Sequence, residues 1–163
     1  HKKSHRFLAM KILNRKKVAE CKHEKQLQRE SELLQECGSC PFVVSFIGAF
    51  DSRSTKIILM EFIVGGELFR RIREVTRMSP NEARFYMAEM CVVLEYLHGK
   101  NIVYRDLKPE NIMIDAMGHI RLVDFGFAKK IPNPDMKSSF CGSPFYIAPE
   151  MLSSNYYGNS VDI

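Results

Sequence analysis

Between Tyr104 and Asn111 the chain reads Tyr-Arg-Asp-Leu-Lys-Pro-Glu-Asn, and thirteen residues on it reads Asp124-Phe125-Gly126. Asp106, Asp124, Lys108 and Asn111 thus bring two carboxylates, a lysine and a carboxamide into a short span. Such a set makes a poor surface loop unless it holds something. Carboxylate and amide oxygens suit a hard divalent cation, and a lysine beside them suits a polyphosphate. The intervening sequence supplies a geometry. Ile112–Ile114 and Ile120–Val123 predict two short strands turned by Asp115-Ala116-Met117-Gly118, which sets Asn111 and Asp124 at neighbouring strand ends. Two ligands of one cation cluster require that proximity.

Asp106-x-x-x-x-Asn111, Asp124-Phe125-Gly126 and Ala148-Pro149-Glu150 together resemble the signature of the Ser/Thr protein kinases, most nearly the cyclic-nucleotide-dependent members of the AGC group. The resemblance implies ATP and Mg2+ as cofactors and a site with divided roles. Asp106 would orient and deprotonate a substrate hydroxyl, Lys108 would neutralise the γ-phosphate, and Asn111 and Asp124 would ligate the metal. Lysine at position 108 marks Ser/Thr rather than Tyr kinases. Phosphoryl transfer has a loose transition state, so positioning and electrostatics suffice and no strongly raised pKa is needed at Asp106. Lys11 would bind the α/β-phosphates and pair with Glu30. The implied nucleotide contacts are Ala9, Lys11, Met60, Glu61, Ile63, Glu67, Lys108, Glu110, Asn111, Met113 and Asp124, with Met60 guarding the back of the pocket and the Glu61–Ile63 backbone meeting adenine.

Regulation and substrate choice follow from the same resemblance. Ser139, two residues before Cys141, matches the activation-loop phosphosite, with Ser138 a near competitor; Arg105 and Lys129 would clamp its phosphate, so Ser139→Ala should lower turnover. Ser143 matches a threonine bridging the catalytic aspartate and lysine. Glu67 and Glu110 match acidic positions that receive arginines, so protein substrates with Ser/Thr near Arg or Lys are expected, with a regulatory subunit or an upstream activating kinase as further partners. Three positions depart from the pattern: Gln26 replaces a histidine of some relatives, which removes one phosphate contact; Phe145 replaces a frequent glutamate; Ile163 replaces a usual tryptophan.

The elements that must position these groups are legible to different degrees. Phe7 to Leu13 alternates as a strand covered on both faces, with Lys11 in its middle. Glu20 to Glu36 lacks Gly and Pro and predicts a helix whose apolar side carries Leu27, Glu30, Leu33, Leu34 and Cys37. A carboxylate on that side needs a partner, and Lys11, nineteen residues earlier, is the candidate; Glu30 at the helix edge, with Glu32 or Glu36 in its part, is the alternative. Val43–Phe50 and Lys56–Phe62 predict two further strands, and Gly65-Gly66 a hinge. Ser79-Pro80-Asn81-Glu82 predicts a capped helix start, with Ala83, Tyr86, Met87, Met90, Val93, Leu94 and Leu97 forming one face up to Gly99.

The 163 residues, 45% apolar and 26% charged, exclude a disordered chain, and no apolar run reaches the ~18 residues that span a bilayer. The net charge of +5 is concentrated in residues 1–29, with ten basic and two acidic side chains. It reads as a solvated basic face, and no nucleic-acid partner is expected. Five cysteines without regular spacing fit a reducing compartment, cytoplasmic with the nucleus as a second location; Cys37-Gly38-Ser39-Cys40 lacks the second pair that a zinc site wants. The expected fold is α+β, a bilobal protein-kinase-like fold in part: residues 1–62 a β-rich small lobe without its first strands, 63–66 a hinge, and 67–163 a mainly helical large lobe without its C-terminal helices.

No Gly-rich G-x-G-x-x-G precedes Lys11, and Glu150 lacks the later arginine that the resemblance pairs with it. Asp162 matches the aspartate that braces the catalytic loop. Two readings follow. The sequence is part of an active Ser/Thr kinase, or it is a truncated, non-catalytic product that binds nucleotide or kinase partners. The 163 residues alone are expected to be unstable and nearly inactive.

Overall fold

The computed structural model describes residues 6–16, 24–133, 139–154 and 156–163. Strands β1 (Leu8–Asn14), β2 (Phe46–Asp51) and β3 (Thr55–Glu61) form an antiparallel sheet in the order β1-β3-β2. β1 and β3 are in register from Leu8↔Glu61 to Asn14↔Thr55, which seats Ala9 opposite Met60 and Lys11 opposite Ile58. The alternation along β1 is real, but only one face is covered: Met10 and Ile12 lie 55% and 59% exposed, because no described element packs over them.

Helix α1 (Glu24–Glu36) crosses the other side of the sheet. Leu27, Leu33, Leu34, Cys37 and Glu30 are buried along its inner face, as the i, i+3, i+4, i+7 spacing dictates. Residues 20–23 of the expected helix lie outside the described residues. Cys37 and Cys40 are core residues with free thiols, and burial together with Glu36 pushes the Cys37 thiol up to about 11, which is unsuited to thiolate chemistry.

The expected strand from Val43 starts instead at Phe46. The Phe42 carbonyl and Val44 N–H are taken by Leu122, at 2.8 and 3.0 Å, so residues 42–45 pair with a strand from the other half of the chain before β2 begins. The expected Lys56–Phe62 strand lies one residue earlier, closed by a turn in which Ser52 N–H donates to Thr55 O.

Beyond β3, Gly65 is a packing requirement more than a pivot. Its N–H donates to Ile114 O and Gly66 O accepts from Ile114 N, each at 2.8 Å, and a Cβ on Gly65 would lie 2.4 Å from that Ile114 oxygen. Gly66 has φ +78°, a conformation that costs glycine little. Helix α2 (Leu68–Val75) had no sequence prediction: its N-cap Glu67 makes no side-chain cap bond, so the chain carries no start signal there.

Helix α3 (Pro80–Gly99) begins as expected, with Ser79 Oγ accepting from Glu82 N–H at 3.2 Å. The reciprocal half of the capping box is absent, because the Glu82 carboxylate pairs with Arg71 of α2 at 2.9 Å. Met90, Val93, Leu94 and Leu97 are buried, whereas Met87 is 62% exposed and is no core residue. After α3, β4 (Ile102–Val103) pairs with β7 (Lys129–Lys130), and β5 (Ile112–Ile114) forms a hairpin with β6 (Ile120–Leu122). 3-10 turns at Pro109–Asn111 and Phe125–Phe127 flank the hairpin, and a short helix α4 (Pro149–Ser153) and a 3-10 turn at Asn159–Asp162 complete the described elements. Tyr104 and Phe125, both fully buried, meet edge to face beneath the hairpin, with ring centroids 5.4 Å apart. The mixed helix and strand content agrees with an α+β bilobal kinase fold present in part.

Candidate functional site

The loop 104–111 is held from beneath by Asp162. Its Oδ2 accepts from Tyr104 N–H at 2.8 Å, its Oδ1 accepts from Arg105 N–H at 2.7 Å, and His98 Nε2 lies 2.9 Å from Oδ2. Asp162 is 4% exposed, so these bonds replace water that cannot reach it. They hold Arg105 at φ +69°, a backbone conformation that side-chain-bearing residues rarely adopt, and the next residue is Asp106. Tyr104 adds a hydroxyl bond to Val123 O, the carbonyl immediately before Asp124.

Asp106 is buried, and each of its carboxylate oxygens is engaged, with Oδ1 keeping room for a second donor. Asn111 Nδ2 donates to its carbonyl at 2.9 Å and to Oδ2 at 2.8 Å, Lys108 Nζ lies 3.0 Å from Oδ2, and Ser143 Oγ donates to Oδ1 at 2.7 Å. Ser143 in turn accepts from Lys108 Nζ at 2.5 Å. The carboxylate, the lysine and the hydroxyl therefore form a closed triangle. The backbone carbonyl of Asp106 can only accept, which fixes the Asn111 amide nitrogen toward it and leaves the amide oxygen as the group's free end.

Asn111 and Asp124 end adjacent strands, joined by Val123 N–H to Asn111 O at 3.0 Å. Asp124 sits at φ +57°, with Oδ1 accepting from Lys11 Nζ at 2.8 Å and from Gly126 N–H at 3.2 Å. The other oxygen lies outside these bonds, and the side chain is half exposed. Lys11 also pairs with Glu30 at 2.7 Å, so Glu30 sits on the inner face of α1 and not at its edge. Partial burial works against the Asp124 charge, yet Lys11 and the Gly126 N–H hold its carboxyl below the usual range. Burial likewise opposes the Lys11 charge, but Glu30 and Asp124 together push its pKa up. Glu30 is raised by burial against the pull of Lys11, and its Oε2 has no partner among the described residues.

These residues suit a divalent cation and a phosphate chain. A half-exposed carboxylate and an amide oxygen without a bond among the described residues, at neighbouring strand ends, are the kind of oxygen donors that Mg2+ takes while keeping waters, and Lys11 beside them is a cation that suits phosphate. Above them the sheet edge brings Ala9 opposite Met60, with Ile63 buried, and Glu67 bridges Met113 by an antiparallel backbone pair. Glu110 Oε2 is buried without a partner among the described residues.

Ser139 is exposed, and its carbonyl accepts from Tyr157 Oη at 2.7 Å and from Arg105 Nη1 at 3.5 Å. Arg105 Nη1 also donates to Tyr157 Oη at 2.9 Å. Ser138 lies outside the described residues. Lys25, Arg29 and Arg105 line a cavity of about 360 Å³ against Ser139. Burial, then the charges of Arg105 and Arg29, lower the Lys129 pKa, the mark of a crowded cationic site. Tyr157 and Arg29 went unread in the sequence; nothing local marks Tyr157, but Arg29 directly precedes the buried Glu30. Gln26, the departure from histidine, donates to Gly126 O at 2.7 Å and so ties α1 to the segment after Asp124. Glu150 is not isolated, since Ser160 Oγ lies 3.5 Å from it.

A model of the protein kinase domain matches residues 1–163. The chain is 44% identical over 157 residues to the cAMP-dependent protein kinase type 3 of Saccharomyces cerevisiae, covering 96% of the chain and 39% of that protein. It is 43% identical over 156 residues to the cAMP-dependent protein kinase catalytic subunit PRKX of Homo sapiens, with 96% and 43% covered. It is 41% identical over 163 residues to the serine/threonine-protein kinase Sgk1-B of Xenopus laevis, with 99% and 38% covered. The chain therefore spans less than half the length of these relatives.

Proposed function

This chain belongs to the protein kinase domain family, and on that premise we propose that it transfers the γ-phosphoryl group of Mg-ATP to Ser or Thr hydroxyls of proteins. The observation that carries the proposal is the closed triangle of Asp106, Lys108 and Ser143, set beside Asn111 and the Lys11–Asp124 pair. Asp106 receives the hydroxyl proton at one carboxylate oxygen, while Lys108 faces the charge that develops during transfer. Asn111 and Asp124 would hold Mg2+, which when bound supplies charge neutralisation of the phosphates. Lys11 exchanges its contact with Asp124 for phosphate and keeps Glu30, whose burial favours a paired carboxylate.

Names of relatives support a cAMP-dependent-like or other AGC assignment. The buried Glu110 oxygen, without a partner among the described residues, supports recognition of arginine near the acceptor, with Glu67 as its companion. The test is transfer of labelled phosphate from Mg-ATP to a serine peptide with upstream arginines by the full-length protein. No transfer to that peptide or to its neutral analogue, from folded protein, sinks the proposal. The free thiols of Cys37, Cys40, Cys91 and Cys141 support a cytoplasmic, and secondarily nuclear, protein.

Loop phosphorylation is proposed to order the segment around Ser139. A phosphate adds about −1.5 to −2 charge opposite Arg105 and Lys129. Ser139→Ala is expected to lower turnover about tenfold by leaving those cations without their anion. Unchanged turnover with phosphate mapped to Ser138 would move the assignment to that residue.

A further inference from the structure

Ser143 belongs both to the triangle with Asp106 and Lys108 and to a turn that presents the next residues to solvent. Its Oγ is bonded to Asp106 and Lys108 at 2.7 and 2.5 Å. Tyr146 N–H donates to Ser143 O at 2.9 Å, which closes the turn Ser143-Pro144-Phe145-Tyr146, and Pro144 fixes φ at its second position. Beyond the turn, Ile147 and Ala148 pack against Val103, Ile131, Met151 and Tyr157. The turn is therefore held at both ends, and Phe145 near its tip is 97% exposed. Phe140 and Tyr146, in the same stretch, are 59% and 46% exposed. A lone exposed phenylalanine is ordinary, but three exposed aromatic side chains on the one segment bonded to the Asp106 carboxylate mark a contact surface. We propose that Phe145 is a specificity-determining residue, which takes an aliphatic or aromatic side chain of the protein substrate near the acceptor serine or threonine.

This selectivity rests on the phosphoryl-transfer reading above. Two residues of fully extended chain span at most about 7 Å, so Phe145 stays close to Ser143 and to the carboxylate that an acceptor hydroxyl must reach. The side chain it meets therefore belongs to a residue near the acceptor. The ring has apolar surface to bury and no carboxylate to offer a guanidinium, whereas the glutamate frequent at this position in similar sequences would favour a basic residue. Selection of arginine is left to Glu67 and Glu110, so the apolar and basic preferences fall at different positions of the peptide. Because the turn is already fixed by Pro144 and by its two anchors, the contact forms without ordering a loop.

The experiment is a positional-scanning peptide library phosphorylated from labelled Mg-ATP by the full-length protein, each position around a fixed serine being varied in turn. It is followed by kcat/KM for the selected peptide and for its alanine counterpart. The native protein is expected to favour Phe, Leu, Ile or Met over Ala about fivefold at one position, the size of a partly buried apolar side chain. Phe145→Ala is expected to bring that ratio to about one, Phe145→Leu to keep most of it, and Phe145→Glu to exchange it for a preference for Arg or Lys at the same position. The readout compares two peptides on one variant, so partial unfolding, which lowers both rates alike, does not move it. A native profile with no apolar position, or an apolar preference that survives unchanged in Phe145→Ala, would overturn the assignment of Phe145. No transfer to any peptide of the library from folded native protein would overturn the phosphoryl-transfer reading itself, and the role of Phe145 with it.

Discussion

Asp106→Asn is expected to lower kcat by about 10²- to 10⁴-fold at saturating Mg-ATP and peptide, the range for loss of a positioned general base. The substitution is nearly isosteric, and the amide oxygen can still accept from Ser143 Oγ where the Asp106 carboxylate does at 2.7 Å. What disappears is the negative charge beside Lys108 and the acceptor that Asn111 Nδ2 and Lys108 Nζ share on Oδ2. An amide nitrogen at that position faces two donors and cannot take a proton from a hydroxyl. Nucleotide affinity is expected to change by less than about threefold, because the Lys11–Glu30 and Lys11–Asp124 pairs do not involve Asp106. The measurement is kcat beside thermal stabilisation by Mg-ADP. A variant that keeps more than a tenth of its turnover would remove Asp106 from the proton-transfer role.

The same residues show how far the sequence could be read. Asn111 and Asp124 were legible as neighbours because a short apolar strand on each side of an Asp-Ala-Met-Gly turn permits few other pairings. Glu30 was legible because a carboxylate on the buried face of a helix needs a cation, and Lys11 is a cation set among apolar residues in a strand, nineteen residues earlier. Local signals of that kind failed wherever the decisive partner was distant. The Phe42 and Val44 backbone groups go to Leu122, almost eighty residues away, so the strand expected from Val43 starts three residues late. Glu82 had the spacing of a capping box, but Arg71 of the neighbouring helix claimed it. The need for glycine at position 65 was legible only as local freedom, whereas the 2.4 Å approach of a Cβ there to Ile114 O is a tertiary property. Tyr157 carries no local pattern at all; it acquires its meaning from a carbonyl and a guanidinium that the fold brings to it.

Asp162→Ala is expected to cost about 3–5 kcal/mol of stability, since it orphans two buried backbone N–H groups at once. Tyr104 N–H and Arg105 N–H donate to its two oxygens at 2.8 and 2.7 Å, in a part of the core where Tyr104 is fully buried. Against a typical domain stability of ~5–15 kcal/mol the loss is large. Activity is expected to fall further than stability alone explains, for a reason of geometry. Arg105 is held at φ +69°, and a non-glycine residue gives up ~1–3 kcal/mol to stay in such a conformation. Without the Asp162 bonds that strain can relax, and Asp106, the next residue, turns with it away from Ser143 and Lys108. Asp162→Asn separates the two effects, because one amide oxygen still accepts from one N–H while the amide nitrogen opposes the other. It is expected to lose roughly half as much stability, and to keep measurable turnover only if the retained bond is the one to Arg105. The checks are urea unfolding midpoints for both variants and kcat measured where each is still folded. Asp162→Ala protein that is destabilised but turns over at the native rate would show that the loop's conformation is set elsewhere, by the Arg105 contacts to Phe127 O at 2.7 Å and to Tyr157 Oη at 2.9 Å.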